Sequence, residues 1–98
     1  MIELQYEGQP IRACVGDGRI WFVASDLAKV LGFPSGFAMA RTVPVEDKKF
    51  LDVETRGGRH ESTIISDIGL IVFASRTRKP FGRKLLKWIL HEVLPGLN

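Results

Sequence analysis

Six basic side chains, Arg76, Arg78, Lys79, Arg83, Lys84 and Lys87, stand within twelve residues with no acid among them. The 98-residue chain carries a formal net charge of +3, and that charge is unevenly placed. Residues 1–70 hold 8 bases and 10 acids, whereas residues 71–98 hold 6 bases and the single acid Glu92. A concentrated basic segment on a near-neutral domain is the electrostatic footprint of a surface for a polyanion. A solvated helix face is the competing reading. Two further arginines, Arg56 and Arg59, flank Gly57-Gly58. On the tip of a hairpin they are either simply solvated or able to enter a DNA groove, since the major groove admits a two-stranded ribbon.

Other chemistries find little support. Cys14, His60 and His91 lack any short ligand spacing, so no metal site is expected. Cys14 has no base placed to activate it as a nucleophile. Ser25-Asp26 and Ser66-Asp67 look like catalytic pairs, but each stands where a helix should start, and helix capping accounts for both. Gly57-Gly58 is followed by neither a helix start nor a lysine motif, which makes it a turn and not a phosphate loop. Neither catalysis nor a cofactor is expected.

The elements that must position these groups can be read from the periodicity. Ile2, Leu4 and Tyr6, then Ile11, Ala13 and Val15, alternate with polar or small residues, and Ile20 to Val23 make a third strand. Glu7-Gly8 and Gly16-Asp17-Gly18 supply the turns of an antiparallel meander. Ser25 is expected to cap a helix carrying Leu27, Ala28 and Leu31, which Gly32 ends. Ser35 is expected to cap a short helix within Phe37 to Val43. This pair could pass for a helix-turn-helix, but its second helix offers only Arg41 as a base. Lys49 to Thr55 and His60 to Ile65 form the hairpin around Arg56 and Arg59.

Ser66-Asp67 opens the next helix. Its apolar residues surround the axis, so the Ser66–Ser75 helix is expected to be the most buried element, with Gly69 admitting a close neighbour. Arg76 to Lys79 is a connector, and the last helix runs from Pro80 to Pro95. On that helix Phe81, Leu85, Trp88, Ile89, Leu86, Leu90 and Val93 fill an arc of about 200°, twice the roughly 100° stripe that one core contact requires. Arg83, Lys84, Lys87 and His91 fill the rest. Trp88, inside the arc, is expected to be core. The surplus apolar width around Leu86, Leu90 and Val93 suggests self-association or docking of a C-terminal domain, unless the meander covers it. Arg83 and Lys84 each crowd Lys87 at helical neighbour spacing.

Composition sets the frame. Hydrophobic residues at 45% and charged residues at 26% are those of an ordinary globular chain. One cysteine excludes an internal disulfide framework. No apolar stretch approaches the roughly 20 residues that span a bilayer, and the acidic start is no secretory signal. The expectation is one soluble, cytoplasmic α+β domain over residues 1–98, with small antiparallel strands, three to four helices and no membrane partner.

The stretch from Trp21 to Phe33, the Ile64 to Ile71 segment with Ser75 to Pro80 after it, and the closing Trp88-Ile89-Leu90-His91-Glu92-Val93-Leu94-Pro95 resemble the Bro-N domain. This domain occurs in phage antirepressors and in viral proteins of the baculovirus repeated-gene type. The resemblance covers nearly the whole chain with its motifs in family order. It implies an α+β DNA-binding module, commonly followed by a different C-terminal domain, which here is absent or cut away. It also implies a setting in a bacterial host of a phage or prophage. Where the family often has a longer polar helix, Gly36-Phe37-Ala38-Met39-Ala40 is small and apolar. Two functions follow: DNA binding through Arg76, Arg78, Lys79, Arg83, Lys84 and Lys87, aided by Arg56 and Arg59, or capture of a repressor protein through the apolar arc.

Overall fold

A computed structural model describes residues 1–97; the side chains of residues 53, 55 and 97 are not described, and Asn98, the last residue of the expected domain, lies outside the described residues. Strands β1 (Ile2–Tyr6), β2 (Gln9–Gly16) and β3 (Arg19–Val23) form the meander. Its two turns put Glu7, Gly8, Asp17 and Gly18 at φ of 52°, 76°, 55° and 70°. Positive φ at both central residues is the hairpin turn whose twist matches its strands. Helices α1 (Ala24–Leu31) and α2 (Gly36–Ala40) follow, then a 3-10 turn over Val45–Asp47. Strands β4 (Lys48–Thr55) and β5 (Gly58–Ser66) make a third hairpin. Helices α3 (Asp67–Arg76) and α4 (Phe81–Trp88) close the chain, α4 running on into a π turn over Ile89–Val93.

The sheet is antiparallel throughout, in the order β1-β2-β3-β5-β4. The architecture is α+β, as the sequence implied. Only Ile64 to Ser66 of β5 pair with β3, while β4 and β5 pair from Lys48↔Ile65 out to Thr55↔Gly58. The outer part of the hairpin is therefore a two-stranded ribbon that extends beyond β3, reaching roughly 20 Å past it at about 3.4 Å per residue. Ile20 and Phe22 join Ile11, Leu27, Met39, Ile65, Leu70, Leu85 and Ile89 in the main core beneath the helices. Trp21, Val23 and Ile64 form a smaller cluster on the other sheet face. There Arg19 and Lys49 lie 5.1 and 4.5 Å from the Trp21 ring centre, and their stems shield it from water.

Three expectations need correction. β3, not α3, is the most buried element: Ile20 to Val23 are all buried, whereas Ile68 of α3 is 52% exposed and Ile71 and Val72 are half-buried. The helix lies on the sheet as an outer layer, with Gly69, Leu70, Phe73 and Ala74 inward. Gly69 does admit a neighbour, since a Cβ there would stand 2.8 Å from Asp47 Cβ. Ser25 is not a cap. The first helix starts directly after Val23 with no side-chain cap, and Asp26 instead binds Arg12. Val15, in line with Ile11 and Ala13, is exposed at the end of its strand. Gly32 and Ser35 perform as expected, Gly32 closing α1 at φ 86° and the Ser35 hydroxyl accepting from Ala38 N–H at 3.0 Å.

Candidate nucleic-acid interface

The six clustered cations sit where α3 hands over to α4. Arg76 ends α3, Arg78 and Lys79 lie in the connector, and Arg83, Lys84 and Lys87 project from α4; all six are exposed. The corner between the two helices is set by Gly82. A Cβ at that position would stand 2.6 Å from Thr77 Cγ2 and 2.8 Å from Ala74 O, so only glycine allows this approach. Gly82 was not singled out from the sequence; a glycine in the first turn of a helix, two residues after a proline, was the available signal.

Lys84 differs from the other five. Its ammonium lies 3.1 Å from the Glu7 carboxylate at the first hairpin turn. The crowding expected of the stripe is thus partly neutralised by an acid seventy-seven positions earlier in the chain, a pairing no local pattern reveals. Arg76, Arg78, Lys79, Arg83 and Lys87 have no acid within ion-pair distance among the described residues.

Arg56 and Arg59 are exposed at the ribbon tip, on the β4 side of the sheet. Helix α4 packs by the opposite edge, where Trp88 Nε1 donates to Gln5 O at 2.8 Å. The two basic groups are therefore not brought together. The ribbon also carries Asp52, Glu54 and Glu61, with Asp52 directly opposite Glu61 and Glu54 opposite Arg59.

Of the two Ser–Asp pairs, Asp26, Ser66 and Asp67 have structural partners, while Ser25 is exposed. Ser66 Oγ accepts from Gly69 N–H at 3.1 Å and from Arg19, and donates to Asp47 Oδ1 at 3.1 Å. Arg19 also reaches Asp47 at 2.7 Å and Asp67 at 3.4 Å. Asp47 is buried, and this network pins the 3-10 turn to β3 and the start of α3. Asp26 accepts two bonds from the Arg12 guanidinium, at 2.8 and 2.9 Å, and one from Arg12 N–H at 2.9 Å. Burial alone pushes the Asp26 carboxyl up, but the bonds from Arg12 outweigh it and hold the pKa below its ordinary value. The helix-turn-helix likeness fails on geometry. Helix α2 has five residues with Met39 and Ala40 inward, and Gly36 abuts the backbone of Ala24 and Ser25.

The sequence model of the BRO family, N-terminal domain, matches residues 10–95. The chain belongs to the Bro-N family. No curated protein and no solved structure matches it. Bro-N domains are associated with DNA-binding regulators of phages and baculoviruses. In this Bro-N domain no helix among the described residues is long and apolar enough to cross a membrane.

The expected docking face of the Bro-N chain's last helix is largely covered. Val93 is buried and Leu86 packs against the core, leaving Leu90 at 45% exposure. Two causes act together. The π turn, closed by Leu94 N–H to Ile89 O at 3.0 Å, rotates less per residue and swings Val93 back into line with Leu85 and Ile89. The meander also lies along this helix: Tyr6 meets Trp88 edge-on with ring centres 5.1 Å apart, and Leu4 and Gln5 border a hollow together with Val93. Trp88 is core, as expected.

Proposed function

We propose that this chain is the DNA-binding module of a phage or prophage antirepressor-type regulator, working in the cytoplasm of the host. It holds the phosphate backbone through Arg76, Arg78, Lys79, Arg83 and Lys87, with Lys84 available when Glu7 releases it. The observation that carries this reading is five exposed cations, on and beside the α3–α4 corner, without an acid partner among the described residues. Phosphates repeat along a strand whatever its sequence, so such a corner supplies affinity and orientation and not sequence choice. Arg56 and Arg59 are a subsidiary contact, because the acids of the ribbon offset their field. The module is not an enzyme in this reading, since Asp26, Ser66 and Asp67 are committed to a cap or to ion pairs. Repressor capture or self-association through the last helix would have the exposed Leu90 and the half-buried Leu86 to use, with Val93 buried.

Fluorescence anisotropy with a random-sequence duplex tests the proposal. Replacing Arg76, Arg78, Lys79, Arg83 and Lys87 together with Gln should leave the circular dichroism melt intact and weaken binding by more than about tenfold at low salt. Arg56→Gln with Arg59→Gln should weaken it less. Parent-level affinity in the five-fold variant would refute the assignment.

A further inference from the structure

A cavity of about 450 Å³ opens between α2 and the C-terminal end of α3. Phe33, Ala38, Met39 and Phe73 give it an apolar lining, and the exposed Arg76 and Lys79 border it as well. Thr42 and Thr77 complete the lining, and no acid takes part. The other hollows differ in kind. Those beside α4 hold Glu7 against Lys84, and a smaller one holds the Arg12–Asp26 pair, so their charges are already balanced. Only here among the described hollows does an apolar interior meet positive charge with no acid facing it.

The walls are suited to a ligand. Phe33 and Phe73 hold each other with ring centres 5.8 Å apart, and Phe73 stacks on Phe81 at 6.1 Å, which makes this side rigid. Met39 in the lining is an unbranched thioether that adapts to irregular shapes. The volume lies within the roughly 300–1,000 Å³ range of small-molecule sites and is too confined for a stable protein interface, which buries about 1,200 Å² or more. The complement to an apolar hollow with two cations on its border is a molecule with an apolar body and one anionic end.

We propose that this cavity binds a small amphiphilic carboxylate, such as a medium-chain or aromatic acid. The apolar body lies against Phe33 and Ala38, over the floor that Met39 and Phe73 make, and the carboxylate rests on Arg76 and Lys79. This does not depend on the DNA reading. One consequence does: because Arg76 and Lys79 are also phosphate contacts in that reading, an occupied cavity would lower duplex affinity.

Titration of the full chain with decanoate in the absence of DNA tests the site by itself, with decanol as the uncharged control. One decanoate per chain is expected, bound at least about tenfold more tightly than decanol. Arg76→Gln with Lys79→Gln, both exposed and safe for the fold, should abolish that preference. The Met39 methyl resonance should shift on binding, a readout that needs no variant. Absence of saturable binding, an unchanged preference in the double variant, or an unmoved Met39 methyl would overturn the proposal. So would saturable binding of an acidic amphipathic peptide without binding of decanoate, which would assign the cavity to a protein partner.

Discussion

Asp26 and Glu7 are two carboxylates that each meet one cation, with opposite consequences. Asp26 is three-quarters or more enclosed and takes three bonds from Arg12. Asp26→Asn should cost about 1–3 kcal/mol near neutral pH, the range for losing charge-assisted bonds. The lowered pKa fixes the pH window: the stabilisation is complete above the ordinary carboxylate range near 4 and is lost as pH falls through the lower folded value. Melts of parent and variant should thus differ at pH 7 and converge in strong acid; a gap unchanged at pH 2 would count against the pairing. Glu7, by contrast, is exposed and competes with phosphate for Lys84. Glu7→Gln should raise duplex affinity and steepen its log–log salt dependence by about 0.9, one added contact. Neither pair was legible beforehand, because both join residues that only the folded meander brings together.

At the scale of elements, local pattern identified the strands, the three hairpins and the four helices, since period and turn residues are local properties. It misjudged which helical faces meet the core. An apolar circumference on α3 says nothing of how many sides have neighbours, and Ile68 faces water while Leu70 is fully buried. Leu70→Ala should therefore cost about 2–5 kcal/mol, well above Ile71→Ala at its half-buried position, as thermal melts will show. The last helix misled for another reason: an angular plot at 100° per residue assumes an unbroken α-helix, and the π turn shifts Val93. Gly82 offers a sharper check of the basic corner. In an exposed helix Gly→Ala gains up to about 1 kcal/mol. Here the added methyl meets Ala74 O and Thr77, so Gly82→Ala should lower the melting temperature and, by moving α4 from α3, weaken duplex binding as well.

At the scale of the whole molecule, the family was legible because its motifs span nearly the entire chain, and the matched residues 10–95 agree. The cluster of exposed cations was legible too, being contiguous in sequence. The insertion of β5 between β3 and β4 was not, because a hairpin's own sequence does not say which of its strands docks on the sheet. Nor was the separation of Arg56 and Arg59 from the α3–α4 corner, which follows from that order. The central claim concerns how many phosphates the corner meets, and salt dependence counts them. Duplex affinity measured from about 50 to 200 mM salt should give a log–log slope approaching −4.5 if all five unpaired cations engage, at about 0.9 per contact. Arg83→Gln with Lys87→Gln should flatten it by about 1.8. A parent slope near zero, or the same slope in the double variant, would contradict phosphate binding by this corner.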